Sequence, residues 1–189
     1  MDGFITIVSG LPRSGTSMMM KMLEAGGMEL VVDNIRQADE DNPNGYYEFE
    51  KVKKIKEDFS WLEETTGKAF KMVSVLLYNL PAGKHYKIIF MERKMEEMIA
   101  SQNKMLERKD LTKNESGDEK MGEFFKNHLN KIKQWFLGQK NMEILYVNYN
   151  SLIDDSQKNA ENVNRFIGGN LDTVKMSSIV DKSLYRQRK

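Results

Sequence analysis

The segment Gly10, Leu11, Pro12, Arg13, Ser14, Gly15, Thr16, Ser17 sets the tightest limit on how this chain folds. It follows a short β-branched run at residues 4–9 and opens a helical stretch, residues 16–25, that stops at the Gly26 and Gly27 pair. A glycine-containing turn from strand into helix aims backbone N–H groups inward and adds the positive end of the helix dipole. That combination binds an anion without any net charge on the protein. The spacing fits G-x-x-x-x-G-x-S/T, with Thr16 where the usual Lys stands and Arg13 as a cation inside the loop. An Arg there grips a phosphate with a two-pronged fork. The alternative is a turn that merely joins strand to helix.

The rest of the chain alternates strand and helix signals. Residues 29–32 suit a short strand, and 33–47 a loop crowded with Asp, Asn, Pro and Gly. Phe49, Val52, Ile55, Phe59 and Leu62 recur at spacings of three and four and predict an amphipathic helix facing the core. Residues 70–77 and 86–91 are continuous apolar runs suited to a parallel sheet covered on both faces. Residues 93–105 read as a helix burying Met95, Met98, Ile99 and Met105, and residues 109–122 as a mobile polar loop. Phe125, Leu129, Ile132 and Phe136 mark a further helix and 143–147 a further strand. Ala160, Val163, Phe166 and Ile167 mark a last helix, ending at Gly168 and Gly169. The pattern predicts an α/β fold of three layers, a central parallel sheet flanked by helices, as one domain over residues 1–189.

Composition removes several classes of function. The formal charge of +1 gives no overall field for nucleic acid or a membrane surface, so phosphate binding must be local. With no cysteine there is no disulfide framework, thiolate nucleophile or Cys-based zinc site, and two histidines, His85 and His128, do not make a His-rich metal site. Both histidines read as surface residues. The apolar start lacks a basic leader, and no run approaches the roughly 20 residues of a membrane span, so the expected location is cytoplasmic. Of the 14 methionines, Met18, Met19, Met20 and Met22 read as core filling.

The residues Pro12, Arg13, Ser14, Gly15, Thr16 and Ser17 resemble the 5′-phosphosulfate loop of sulfotransferases that use 3′-phosphoadenosine 5′-phosphosulfate (PAPS). In that family the loop reads Pro, then Lys or Arg, Ser, Gly, Thr, then Thr or Ser. The family's second signature is an Arg at a strand end and a Ser eight residues on, both on the nucleotide's 3′-phosphate. Here Arg93 ends the run 88–93 and Ser101 follows at that spacing. Residues 145–152, continuing to 166–168, are similar to the family's late strand, loop and helix, and the basic segment 183–188 to one near the ends of bacterial members. The resemblance spans nearly the whole chain. It implies a P-loop NTPase-like sulfotransferase fold, PAPS as sulfuryl donor, no required metal, and a small-molecule or carbohydrate acceptor carrying a hydroxyl or amine. It places Pro12, Arg13, Ser14, Gly15, Thr16, Ser17, Arg93 and Ser101 on the nucleotide, with Arg186 and Arg188 of the tail closing over it. Read without the family, Arg93 suits an ion pair with Glu96 or Glu97, and the tail a frayed basic end.

The general base is where the chain departs from the pattern. The family's cytosolic branch has a His after the strand that begins here at residue 70; this chain has Lys71, Met72 and Val73. Other branches use a Glu from the segment after the first helix, and bacterial members carry an Asn-Pro-x-Gly-Tyr-x-Glu element like that ending in Glu48. Glu48 is thus the expected base, with Asp41 and Asp33 behind it; the competing reading makes Glu48 an acid favoured by a helix start. Two rival functions stand: a P-loop kinase of a nucleotide or small molecule, for which Thr16 is the wrong residue, and an inactive nucleotide-binding protein that lacks a base.

Overall fold

The computed structural model describes residues 3–33, 35–36, 39, 45–108 and 115–181. Four parallel strands form one sheet in the order β2-β1-β3-β4: β1 Ile5–Gly10, β2 Ala69–Val73, β3 Tyr86–Glu92 and β4 Met142–Asn148. β1 and β3 lie in the middle and are buried nearly throughout, as continuous apolar runs require. Side chains alternate between two cores. Ile5, Ile7, Tyr86, Ile88 and Phe90 face one side, and Val8, Ile89 and Met91 the other.

Helix α1, Thr16–Ala25, covers the second face with Met19, Met20, Met22 and Leu23, so the methionine cluster is core. It ends at Gly26 and Gly27, as expected; Gly27 has φ 97° and its N–H bonds the Glu24 carbonyl. Helices α4 (Tyr149–Asp154), α5 (Ser156–Ile167) and α6 (Thr173–Ser178) complete this layer. On the first face lie α3 (Glu115–Phe136), through Ile132 and Phe136, and the segment between α1 and β2. α2, Met95–Arg108, joins β3 to that side. The β1-to-β2 and β3-to-β4 connections step in opposite directions, and α1 and α3, their longest helices, lie on opposite faces, as right-handed crossovers demand. The step reverses at β1, which opens a crevice at its carboxyl end.

The fold departs from expectation in four places. The stretch 49–62 is not an α-helix but two 3-10 segments, Glu50–Lys54 and Ser60–Thr65, and Phe59 between them is 50% exposed. Spacings of three suit a 3-10 turn as well as an α-helix, and the break lets Trp61 and Leu62 reach the core by another route. The run 70–77 stops as a strand at Val73 and becomes a 3-10 turn, Ser74–Asn79. Residues 29–32 contribute an isolated bridge, Leu30 to Ala69, rather than a strand. Residues 115–122, expected in a loop, are the first turns of α3; the remainder of that expected loop, 109–114, lies outside the described residues.

Candidate active site

Everything at the carboxyl end of β1 is arranged by two glycines. A Cβ on Gly10 would lie 2.5 Å from Ser14 Oγ and 2.6 Å from the Met91 carbonyl. One on Gly15, whose φ is 100°, would lie 2.4 Å from the Tyr149 ring. Between them the loop turns so tightly that Arg13 adopts a left-handed backbone, φ 68°, a conformation costing about 1–3 kcal/mol for a residue with a side chain. Such strain is sustained where the surroundings over-determine it, and here Arg93 does so: its Nη1 donates to the Arg13 carbonyl at 3.3 Å.

Gly15 caps α1 without any side-chain hydrogen bond, so the helix start is left for an anion. Ser14 is fully buried inside the loop, and its hydroxyl has no hydrogen-bond partner among the described residues. A buried hydroxyl left so costs about 1–3 kcal/mol, which an anion in the loop would relieve. The loop therefore fits a phosphate or phosphosulfate group. Pro12 is exposed at the loop's outer edge.

The second expected site is joined to the first. Arg13 Nε donates to Ser101 Oγ at 2.9 Å, and Ser101 is 8% exposed on α2. Arg93 Nε pairs with Glu97 Oε2 at 2.9 Å, and the guanidinium lies 4.4 Å from the centre of the Tyr149 ring. Of the two ion-pair partners considered for Arg93, the structure selects Glu97. Arg13, Arg93 and Ser101, 88 residues apart at the extremes, thus form one cluster. Beside it a cleft of about 250 Å³ opens, walled by Leu11, Met91, Met98 and Leu129, with Arg93 and Asn148 on its polar side.

Ser17 begins a third group, in which sequence reasoning missed the part played by Lys71. Lys71, from β2, donates to the Tyr46 carbonyl and to Ser17 Oγ at 3.4 Å. Burial pulls its ammonium down to about 8, with Glu48 opposing and Arg36 adding to the fall. It therefore carries full charge below that pH and loses it above. A Lys interrupting an otherwise apolar strand was the available signal, since such a residue must reach out of the sheet or find partners within it. It brings a second cation to the loop that has Thr16 in place of Lys.

Glu48 belongs to the same group. Its carboxylate lies 3.0 Å from Arg36 Nη1 and 3.9 Å from both Lys53 Nζ and Lys71 Nζ. The helix-start reading of Glu48 does not hold, because the 3-10 turn begins at Glu50 and is capped by Asp33, whose Oδ2 accepts from the Glu50 N–H at 2.6 Å. Asp33 is thereby a structural residue, while Asp41 lies outside the described residues. Tyr46 and Tyr47 anchor the strap that residues 45–48 form before the 3-10 turn. Tyr46 is buried with its hydroxyl 2.7 Å from Asp39, its proton held up to about 12 chiefly by burial, and Tyr47 bonds Glu24 at 2.9 Å.

His85 is exposed, but His128 is not a plain surface residue: its Nε2 lies 2.9 Å from the buried Ser74 hydroxyl, and burial lowers its pKa. Arg186 and Arg188 fall outside the described residues, as do Lys189 and the rest of the basic tail. Among the described residues no three His, Cys, Asp or Glu side chains are grouped to hold a metal, and no helix is long and apolar enough to cross a membrane.

No curated protein matches the chain. Residues 5–189 match the family described as the sulfotransferase domain, from the first strand to the last residue. That match, together with the parallel sheet and the loop at its carboxyl edge, shows that the chain belongs to the sulfotransferase-domain family.

Proposed function

We propose that this protein transfers a sulfuryl group from PAPS to a hydroxyl or amine of a small-molecule acceptor. Membership of the family supports sulfuryl transfer in general. The donor assignment rests on one observation above the others: the loop cation Arg13 bonds Ser101 through its side chain and the strand-end cation Arg93 through its carbonyl. Two anion sites so closely linked suit one nucleotide phosphorylated at both its 3′ and 5′ positions.

Bound PAPS supplies a sulfuryl group activated by its 5′-phosphate leaving group. Backbone N–H groups at Gly15, Thr16 and Ser17 and the Ser14 hydroxyl hold that end, with the dipole of α1 behind them. Arg93 and Ser101 take the 3′-phosphate. Arg13 and Lys71 balance negative charge on the bridging oxygen as its bond to sulfur breaks. Glu48, oriented by Arg36, takes the proton that the acceptor loses as its oxygen or nitrogen bonds to sulfur.

The test compares PAPS with adenosine 5′-phosphosulfate, which lacks the 3′-phosphate, across Ser101→Ala and Arg93→Lys. Lysine is the useful change because Arg93→Ala would leave Glu97 buried and unpaired, at a cost of about 3–5 kcal/mol to the fold. Both variants are expected to lose roughly tenfold or more in affinity for PAPS and little for the control ligand, charge-assisted bonds of this kind being worth about 1.5–3 kcal/mol. Equal losses for the two ligands would refute the assigned 3′-phosphate site.

A further inference from the structure

Glu97 is the one buried charged side chain among the described residues, fully enclosed on α2 beside a site that must attract anions. A carboxylate is costly to bury unless it is paired, and this one is held on both oxygens. Oε2 accepts from Arg93 Nε at 2.9 Å, and Oε1 accepts from Asn150 Nδ2, on α4, at 2.9 Å. The guanidinium is then gripped from three segments: by Glu97, by the Tyr149 ring against its face, and by the Arg13 carbonyl. With Nε taken by Glu97, phosphate recognition falls to the Nη groups.

We propose that Glu97, clasped by Asn150, is a positioning residue that aims Arg93 and so sets the preference for a nucleotide bearing a second phosphate over one bearing a 5′ group alone. The proposal rests on the reading of Arg93 and Ser101 as the second-phosphate ligands. Its physical basis is a conflict of signs. As a bare charge, Glu97 weakens the local positive potential and works against any anion. As an orienting group, it fixes a long, flexible Arg before the ligand arrives, so less freedom is lost when the fork closes on phosphate. Neutralising it therefore separates the two roles: a charge effect strengthens binding, and lost orientation weakens it for the bisphosphate alone.

Glu97→Gln is the direct variant. Glutamine keeps the volume of the side chain, so the packing is kept, while the charge-assisted grip on Arg93 Nε is replaced by a weaker neutral bond that no longer fixes the guanidinium. Calorimetric titration of the parent and the variant would use 3′-phosphoadenosine 5′-phosphate and adenosine 5′-monophosphate. The parent is expected to prefer the bisphosphate; Glu97→Gln should lose about tenfold on the bisphosphate and less than about twofold on the monophosphate. Asn150→Ala, which leaves the Arg93–Glu97 pair intact but unclasped, should show a smaller loss of the same selective kind, and it carries the test if Glu97→Gln does not fold. Bisphosphate binding that stays the same or tightens, or an equal loss on both ligands, overturns the positioning role while leaving the donor reading in place. A parent protein that does not distinguish the two ligands overturns the second-phosphate site, and this proposal with it.

Discussion

Glu48→Gln is expected to cut sulfuryl transfer by roughly 10²–10⁴-fold, the usual weight of general-base assistance, while affinity for 3′-phosphoadenosine 5′-phosphate stays close to that of the parent. The substitution keeps the side chain's size and leaves Arg36, which stacks on Tyr46, its own anchor in the strap. What it removes is the ability to hold a proton at the point where Lys71 joins the strap to the start of α1. Screening candidate acceptors with labelled PAPS supplies the substrate, and single-turnover rates at saturating donor then isolate the chemical step. A variant that turns over at the parent rate would show that the proton goes elsewhere.

Arg13→Ala should do more damage, because it acts on binding and on rate together. Loss of a charge-assisted contact to the donor weakens binding by about 1.5–3 kcal/mol, and loss of charge stabilisation on the leaving oxygen slows the chemical step by roughly 10²–10³-fold. Alanine bears the same left-handed backbone cost as arginine at φ 68°, and Arg13 is only half-buried, so the fold should survive. The informative comparison is the saturated rate against affinity. If affinity falls and the saturated rate does not, Arg13 binds the donor equally before and during transfer, and the charge on the leaving oxygen is held by Lys71 and the loop amides instead.

How much of this was legible in the sequence differs by level. The glycine-containing turn was readable because its backbone need is local, with left-handed φ at Gly10 and Gly15, although among the atoms crowding them the Met91 carbonyl and the Tyr149 ring come from distant elements. Arg93 and Ser101 were singled out from spacing and family likeness together, and the structure brings both against Arg13. Lys71 and Asn150 were not singled out, since each takes its role from partners 25 to 54 residues away that no periodicity connects, and Glu97 was legible only as a partner for Arg93 four residues before it. In the fold, apolar strands were legible because burial on both faces leaves little freedom. The segment 49–62 was misread because two 3-10 turns reproduce helical spacing over a short span. The start of α3 was misread for the opposite reason: residues 115–122 hold Met121 as their one large apolar side chain, so no periodic signal marks them. Helix α6 is six residues long and buries only Met176, too little to register.

The central claim is that the loop and the Arg93 site together take a nucleotide phosphorylated at both ends of its ribose. Thermal unfolding with 3′-phosphoadenosine 5′-phosphate, set against ATP with Mg²⁺ at equal concentration, tests it most directly. A ligand present at about 100 times its Kd stabilises the folded state by roughly 2.7 kcal/mol, which moves the midpoint of a chain this size by about 5–11 °C. The 3′-phosphorylated nucleotide is predicted to give that shift and ATP with Mg²⁺ much less. Equal shifts from the two, or a larger one from ATP, would contradict the account and favour a phosphoryl-transfer site.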